Sequence, residues 1–382
     1  MPSKTKKAAA AAPAKKTTSS KTRWQSKKAT DSAVAAFEEK FGKDMGNPLV
    51  KAVDDYQAVS SGSMFLDFQM GIGGWPTGRI CEVWGPEHAG KTTLAMIAVA
   101  SYQRHFPDKR CAWVDMEQTF NVEWAQKMGV DMDRLWLHTP DDAEDVADAT
   151  KRFVESGLCS LVVLDSVGGM IARIEFEKEA DEATVGLVPK IVTRMVKQCS
   201  PMAKQNGTTV MVINQVRANI GGYGPDEDTG GGWALKHVSS MKLRVKRGEP
   251  RKIQVKGQTL PIGHDMVVNV QKNKMAPYGG VAHVWLHNRA TEKYGEPGID
   301  IVPEIFTMAK EFALMGTKAG GWYTMPDGTE LRGEPAAIDH LRANPGDAET
   351  LRARIIAKNN DKIGVSEDVS NNDPLGIAEM AQ

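Results

Sequence analysis

The chain has 382 residues, 41% of them hydrophobic and 25% charged, in the range of ordinary globular proteins and long enough for one large core with small appendages. Lys+Arg and Asp+Glu both total 48, so net charge by itself points neither to nucleic acid nor to an acidic substrate. No apolar run approaches the roughly 20 residues of a membrane helix, and the basic, alanine-rich N-terminus has no apolar signal core. The cysteines Cys81, Cys111, Cys159 and Cys199 are far apart without a C-x-x-C pair. That spacing argues against a metal or disulfide framework and for a reducing, cytoplasmic setting.

Residues 1–30 form a tract of Ala, Lys, Ser and Thr in which nine cations, from Lys4 to Lys28, precede the first acid, Asp31. The tract lacks apolar surface to offset its ordering entropy and reads as a disordered basic arm. It is either an electrostatic arm for DNA or a solvated tail. Residues 31–60 carry a short helix, with Val34, Phe37 and Phe41 on one face, and a linker. From 61 to 300, apolar β-rich runs alternate with helical periods. Arg79–Trp84, Cys111–Asp115, Leu161–Asp165 and Thr209–Asn214 read as strands of a parallel sheet covered on both faces. Met241–Val245, Met266–Val270 and His283–Leu286 follow closely and read as antiparallel additions to one edge. Residues 301–363 read as a small α+β cap with a turn at Pro326-Asp327-Gly328 and a helical stretch over 336–358. Its residues Arg342, Arg352, Arg354 and Lys358 suggest a basic face. The end, 364–382, reads as a flexible tail.

Gly85-Pro86-Glu87-His88-Ala89-Gly90-Lys91-Thr92 fits G-x-x-x-x-G-K-[ST] between a strand and a helix, and Thr93 continues it. Such a loop wraps phosphate oxygens at a helix N-terminus, where the dipole favours an anion. Lys91 would bridge the β- and γ-phosphates and Thr92 would hold Mg²⁺. Leu161-Val-Val-Leu-Asp165 supplies the strand-terminal acid of a Walker-B element, placing Asp165 beside the metal. Hydrolysis also needs a group that orients water. Glu117, just after the Asp115 strand, is the candidate base, the alternative being a solvated loop acid.

Taken together, these residues resemble the bacterial RecA family from about residue 31 to about 360. Gly62-Ser-Met-Phe-Leu-Asp67, Gly73–Arg79, Ile213-Asn-Gln-Val-Arg217, Gly231-Gly-Trp-Ala-Leu-Lys236, Lys272-Asn-Lys274, Gly321-Trp-Tyr323 and Asn344-Pro345 carry the match in order. The resemblance implies an α/β fold: a RecA-like P-loop ATPase core with a mostly parallel twisted sheet, a short N-terminal helix and a small α+β C-terminal domain. It implies a DNA-dependent ATPase that forms a homo-oligomeric helical filament on single-stranded DNA. The filament would pair that strand with homologous duplex, with ATP and Mg²⁺ as cofactors and no membrane partner. Glu117 would be the general base, Gln215 the γ-phosphate contact, and Lys272 and Lys274 would reach the neighbouring subunit's γ-phosphate. Residues 175–186 match a first DNA loop and 216–230 a second. Val185 and Ile220 match apolar wedges, Lys190, Lys197 and Arg217 match phosphate contacts, and Gly231 and Gly232 close the second loop.

There are departures. Asn121 and Trp124 stand where the family's adenine site has Asp and Tyr, which suggests an altered base preference. His237 and Trp233 replace an apolar aromatic and a small polar residue near the subunit interface. The first loop is longer and more charged, a pattern that suits a divergent or virus-encoded, phage-type member. Two rivals share parts of the pattern: a hexameric helicase or repair accessory ATPase, and a single-stranded DNA coat protein with a decayed nucleotide site. The lysine pair, the paired loops and the cap argue against the first. Intact Lys91, Thr92, Glu117, Asp165 and Gln215 argue against the second.

Overall fold

The computed structural model describes residues 56–176, 186–218, 227–230, 232–277 and 279–363. The basic arm, the helix expected at Val34–Phe41, Val185, Ile220, Gly231 and the tail from Gly364 lie outside the described residues.

The apolar runs form the centre of one large sheet. Its strands are β1 (Ile80–Gly85), β2 (Arg110–Asp115), β3 (Leu135–His138), β4 (Cys159–Asp165), β5 (Thr209–Ala218), β6 (Glu227–Thr229), β7 (Met241–Val255), β8 (Gln258–Asn273), β9 (Val281–His287) and β10 (Gly298–Ile299). Their order across the sheet is β10-β9-β8-β7-β1-β5-β4-β2-β3, with β6 paired to β5. Strands β1 to β5 and β7 run parallel, and β8, β9 and β10 add antiparallel. One expectation is therefore corrected. Met241–Val245 opens a strand parallel to β1, because the chain crosses back over the sheet before entering it. Strand β7 then turns at Lys256-Gly257, both with positive φ as a two-residue hairpin requires, and returns as β8.

Alternation along the strands feeds two cores, which is why these runs are almost continuously apolar. Leu161, Val163, Met211 and Ile213 join Cys81 and Val83 on one face. Val162, Leu164, Val210 and Val212 join Ile80 on the other. The first face is covered by α1 (Met64–Met70), α2 (Lys91–His105) and α3 (Val122–Lys127). The second is covered by α4 (Ala143–Ser156), α5 (Leu187–Asn206) and the short α6 (Gly232–Val238). Helix α2 is buried on nearly every side rather than along a single stripe. All four cysteines are buried and unpaired, and burial pushes their thiols up to about 12.

The C-terminal region packs α7 (Val302–Glu311), α8 (Glu334–Ala343) and α9 (Pro345–Ile363) with a three-stranded antiparallel sheet over residues 316–332. The single helical stretch expected there is two helices, because Pro345 starts a new one after Asn344. The expected basic face is also corrected. Arg342 donates to both oxygens of Asp300, at 3.0 and 2.8 Å; Arg352 is buried and paired with Glu349; Lys358 donates to the Phe312 carbonyl. Of the four, Arg354 is exposed.

Asp300 fastens this region to the sheet. It accepts from Arg342 of α8 and from Arg251 of β7, and Arg251 lies 4.1 Å over the Trp285 ring. Burial alone would raise the Asp300 pKa, but the hydrogen bonds and charges of Arg342 and Arg251 outweigh it and hold the carboxyl below its usual range. A depressed carboxylate pKa stabilises the fold above the unfolded value and loses that contribution as pH falls through the folded value. Asp300→Asn should therefore cost roughly 3 kcal/mol at neutral pH by stranding two arginines. In urea melts the gap from wild type should close as the pH drops below the usual carboxylate range; a gap that does not change with pH would contradict this assignment.

Candidate functional site

Parallel strands place their carboxyl ends on one edge, where ligands of open α/β sheets bind. Here that edge gathers the loop after β1, the acids that end β2 and β4, Glu117 just beyond β2, and the polar residues of β5. Register sets the alignment: Gly85 stands level with Gln215, and Asp115 level with Asp165.

At the P-loop, glycine is required at both ends. Gly85 has φ 154° and a Cβ there would lie 1.9 Å from the Val245 carbonyl oxygen; Gly90 has φ 99° and would meet Met266 Sδ at 2.3 Å. The buried Lys91 ammonium donates to the Pro86 carbonyl at 2.7 Å, folded over its own loop. Burial lowers its pKa, opposed by Asp165, Glu117 and Glu87. Thr92 Oγ1 donates to Asp165 Oδ2 at 3.1 Å. Burial, reinforced by Glu117, pushes Asp165 up to about 7. Asp115 is buried beside it, its Oδ1 without a hydrogen bond. A hydroxyl, a carboxylate and an excess of buried acid fit a hard divalent cation held by oxygen.

Glu117 Oε1 accepts from two elements at once: the Ser166 hydroxyl after β4, and Gln215 Nε2 of β5 at 2.8 Å. The base and sensor candidates therefore touch directly.

Beside the loop lies a cleft of about 310 Å³ lined by His88, Lys91, Thr93, Trp124, Arg247, His264, Leu286 and Asn288, among others. Trp124 Nε1 donates to Thr93 Oγ1 at 3.1 Å. Asn121 Oδ1 is engaged as the N-cap of α3, accepting from the Trp124 amide at 2.9 Å. His264 is buried, with Nε2 unpartnered, and burial followed by the Arg247 charge lowers its pKa. Sequence reasoning missed Arg247, His264, Leu286 and Asn288 because they come from β7, β8 and the end of β9, far along the chain, in no motif of their own.

The remaining candidates lie apart from this cleft. Lys272 donates to the Lys236 and His237 carbonyls and Lys274 to those of His237 and Val238, so both cap the C-terminus of α6. Lys190 and Lys197 are exposed on α5, and Arg194, which sequence reasoning passed over, completes the stripe between them at helical spacing. Arg217 lies in β5 opposite Asp228 of β6, so the root of the expected second loop is a β-ribbon. Gly232 opens α6 against Pro189. Trp233 is 76% exposed and stacks on His237 with ring centroids 5.9 Å apart.

A phosphate loop, a strand-terminal acid and a glutamate in reach of a β5 glutamine, all at the edge of a mostly parallel sheet, define a P-loop ATPase. Comparison with known proteins narrows the class. A family model described as the RecA N-terminal domain matches residues 28–287. Protein RecA of Psychrobacter arcticus is 35% identical over 347 residues, covering 89% of this chain and 93% of that protein. Protein RecA of Streptomyces venezuelae is 36% identical over 344 residues, covering 88% and 85%. The crystal structure of the RadB recombinase matches with 26% identity and a TM-score of 0.45, covering 60% of this chain and 96% of that one. The chain belongs to the RecA family. It is a DNA recombinase of recombination and repair and a DNA-dependent ATPase.

The Asn121 cap generates a local prediction. Asn121→Ala should cost about 1 kcal/mol and loosen the hold of α3 on Trp124. Intrinsic Trp fluorescence and urea melts would show both changes; an unaltered melt would mean the cap carries no load.

Proposed function

We propose that the protein binds ATP and Mg²⁺ at this edge, polymerises as a helical filament on single-stranded DNA and pairs that strand with homologous duplex. One observation carries the reading: Glu117 shares its carboxylate with Gln215, and Gln215 stands one residue before the ribbon that roots the second DNA loop. Hydrolysis and DNA binding thus meet at one side chain.

Lys91 and the P-loop residues from Gly85 to Thr93 bind the phosphates, and Trp124 with Asn121 faces the base. Thr92 and Asp165 would hold Mg²⁺, which when bound neutralises charge on the phosphate oxygens. Glu117 orients the water and takes its proton. When ATP arrives, Gln215 exchanges Glu117 for the γ-phosphate, which frees the base and reorders the loop. Lys272 and Lys274, held here on α6, reach the γ-phosphate of the next subunit in the filament. Lys190, Arg194, Lys197 and Arg217 bind DNA phosphates, and Val185 and Ile220 open the base stack. No helix of the described residues is long and apolar enough to cross a membrane. The buried, unpaired cysteines suit a reducing cytoplasm.

Electron microscopy with single-stranded DNA and a nonhydrolysable ATP analogue should show helical filaments; closed rings or an irregular coat would overturn this reading. In kinetics, single-stranded DNA should strongly stimulate turnover and Lys91→Ala should abolish it. Glu117→Gln should keep ATP-dependent DNA binding while slowing hydrolysis by about 10²- to 10⁴-fold. Equal rates with and without DNA, at protomer concentrations too low for self-assembly, would contradict it.

Catalysis in trans has its own test. Lys272→Ala leaves each subunit's P-loop intact and removes charge from its neighbour's transition state. Mixing it with Lys91→Ala should restore part of the turnover, because some interfaces then combine a good P-loop with good lysines. If no ratio exceeds the sum of the two components, the lysines do not act across subunits.

A further inference from the structure

On the face of the sheet opposite α2, a single acid stands among lysines. Glu82 is fully buried in β1. Its cross-strand partner is Lys242 of β7, and Lys242 in turn stands opposite Lys272 of β8. Like charges directly opposed on neighbouring strands destabilise a sheet, and a carboxylate beside them offsets the repulsion. Glu82 Oε2 lies 3.1 Å from Lys242 Nζ, an ionic contact without the alignment of a hydrogen bond.

The other oxygen faces the DNA loop. Glu82 Oε1 accepts from Asn214 Nδ2 at 3.0 Å, and the same amide nitrogen donates to the Gly230 carbonyl at 2.9 Å. Asn214 Oδ1 accepts from the Gln215 amide at 3.0 Å. Lys242 Nζ also donates to Thr229 Oγ1 at 3.1 Å. Gln215 stands at the entry of the second loop, and Thr229 and Gly230 at its exit. Beyond the β5–β6 ribbon, both ends are thus tied to Glu82, through Asn214 at entry and through Asn214 and Lys242 at exit.

We infer that Glu82 is a positioning residue, which couples the γ-phosphate sensor Gln215 to the second DNA loop by holding Asn214 and Lys242 on its two ends. The inference rests on the roles proposed above for Gln215 and for residues 216–230. Among the described residues, the side-chain oxygens of Glu82 meet Asn214 and Lys242, and its charge also reaches Lys272. Its effect is therefore on the ratio of DNA-stimulated to basal turnover, not on nucleotide binding.

Removing one partner of a buried pair leaves an uncompensated charge and destabilises the fold for that reason alone. The decisive variant is therefore the double substitution Glu82→Gln with Lys242→Met, which removes both charges and retains an acceptor for Asn214. It should melt close to wild type and bind a fluorescent ATP analogue with unchanged affinity. Its DNA stimulation of turnover should fall by about tenfold, the scale of coupling between two sites. A merely structural pair would recover stability and stimulation together, so full stimulation in the double variant overturns the inference. Hydrogen exchange on wild type gives a second readout should the variant fail to fold. The ATP analogue alone should slow exchange at the Val216, Ala218 and Thr229 amides, and no change there would overturn the inference too. Absence of DNA stimulation in wild type would instead remove the reading of the loop and sensor on which it rests.

Discussion

Parallel register between β1 and β5, and between β2 and β4, is the constraint on which the rest depends. It sets Gly85 level with Gln215 and Asp115 level with Asp165. A one-residue slip of any of these strands would turn its side chains to the other face. It would exchange Asp165 for Leu164 or Ser166, neither of them an acid, and move Gln215 out of register with Gly85. The two buried cores oppose such a slip, because alternate residues of β4 and β5 are committed to opposite faces. Packing and chemistry are thus enforced by the same alternation.

The acids gathered by that register cannot all stay ionised without help. Asp165 is pushed up to about 7 by burial and by Glu117, while Lys91 is folded onto Pro86 rather than onto the acids. In this arrangement Glu117 is held by two donors, Ser166 and Gln215. In the proposed mechanism, the Gln215 amide that would meet a γ-phosphate is the one that here donates to Glu117.

Much of this was legible in the sequence where chemistry is local. The P-loop, the acid ending Leu161–Asp165 and the strand expected over Thr209–Asn214 each lie within a few residues, and the structure has the corresponding elements, the last of them running on to Ala218. What was illegible depends on distant strands. The direction of β7 follows from a crossover over the sheet, which a five-residue apolar run does not encode. The cleft wall from Arg247, His264, Leu286 and Asn288 exists only because β7 to β9 fold beside β1. Arg342 and Arg352 look like a solvated basic face in one dimension, since the acid that claims Arg342 lies 42 residues away. Glu82 gave no signal either, because an isolated acid in a strand is indistinguishable from a solvent-facing one until its neighbours are known.

The same burial explains how a chain of zero formal charge can serve DNA. Composition counts every ionisable group alike, but a polyanion meets only those at the surface. Among the described residues, Asp67, Glu82, Asp115, Asp142, Asp165, Asp265, Asp300 and Glu304 are buried, against Lys91 and Arg352 on the cationic side. Several of these acids are occupied internally: Glu82 by Lys242, Asp300 by two arginines, Glu304 by Ser63 and the Phe65 amide. Burial also favours the neutral form of Asp67 and Glu304, which it pushes up to about 7 and about 8. Withdrawing acids faster than bases leaves the described surface more cationic than the composition suggests. The stripe of Lys190, Arg194 and Lys197 on α5 lies on that surface, and the field around it is set by these exposed groups rather than by the sum over the chain.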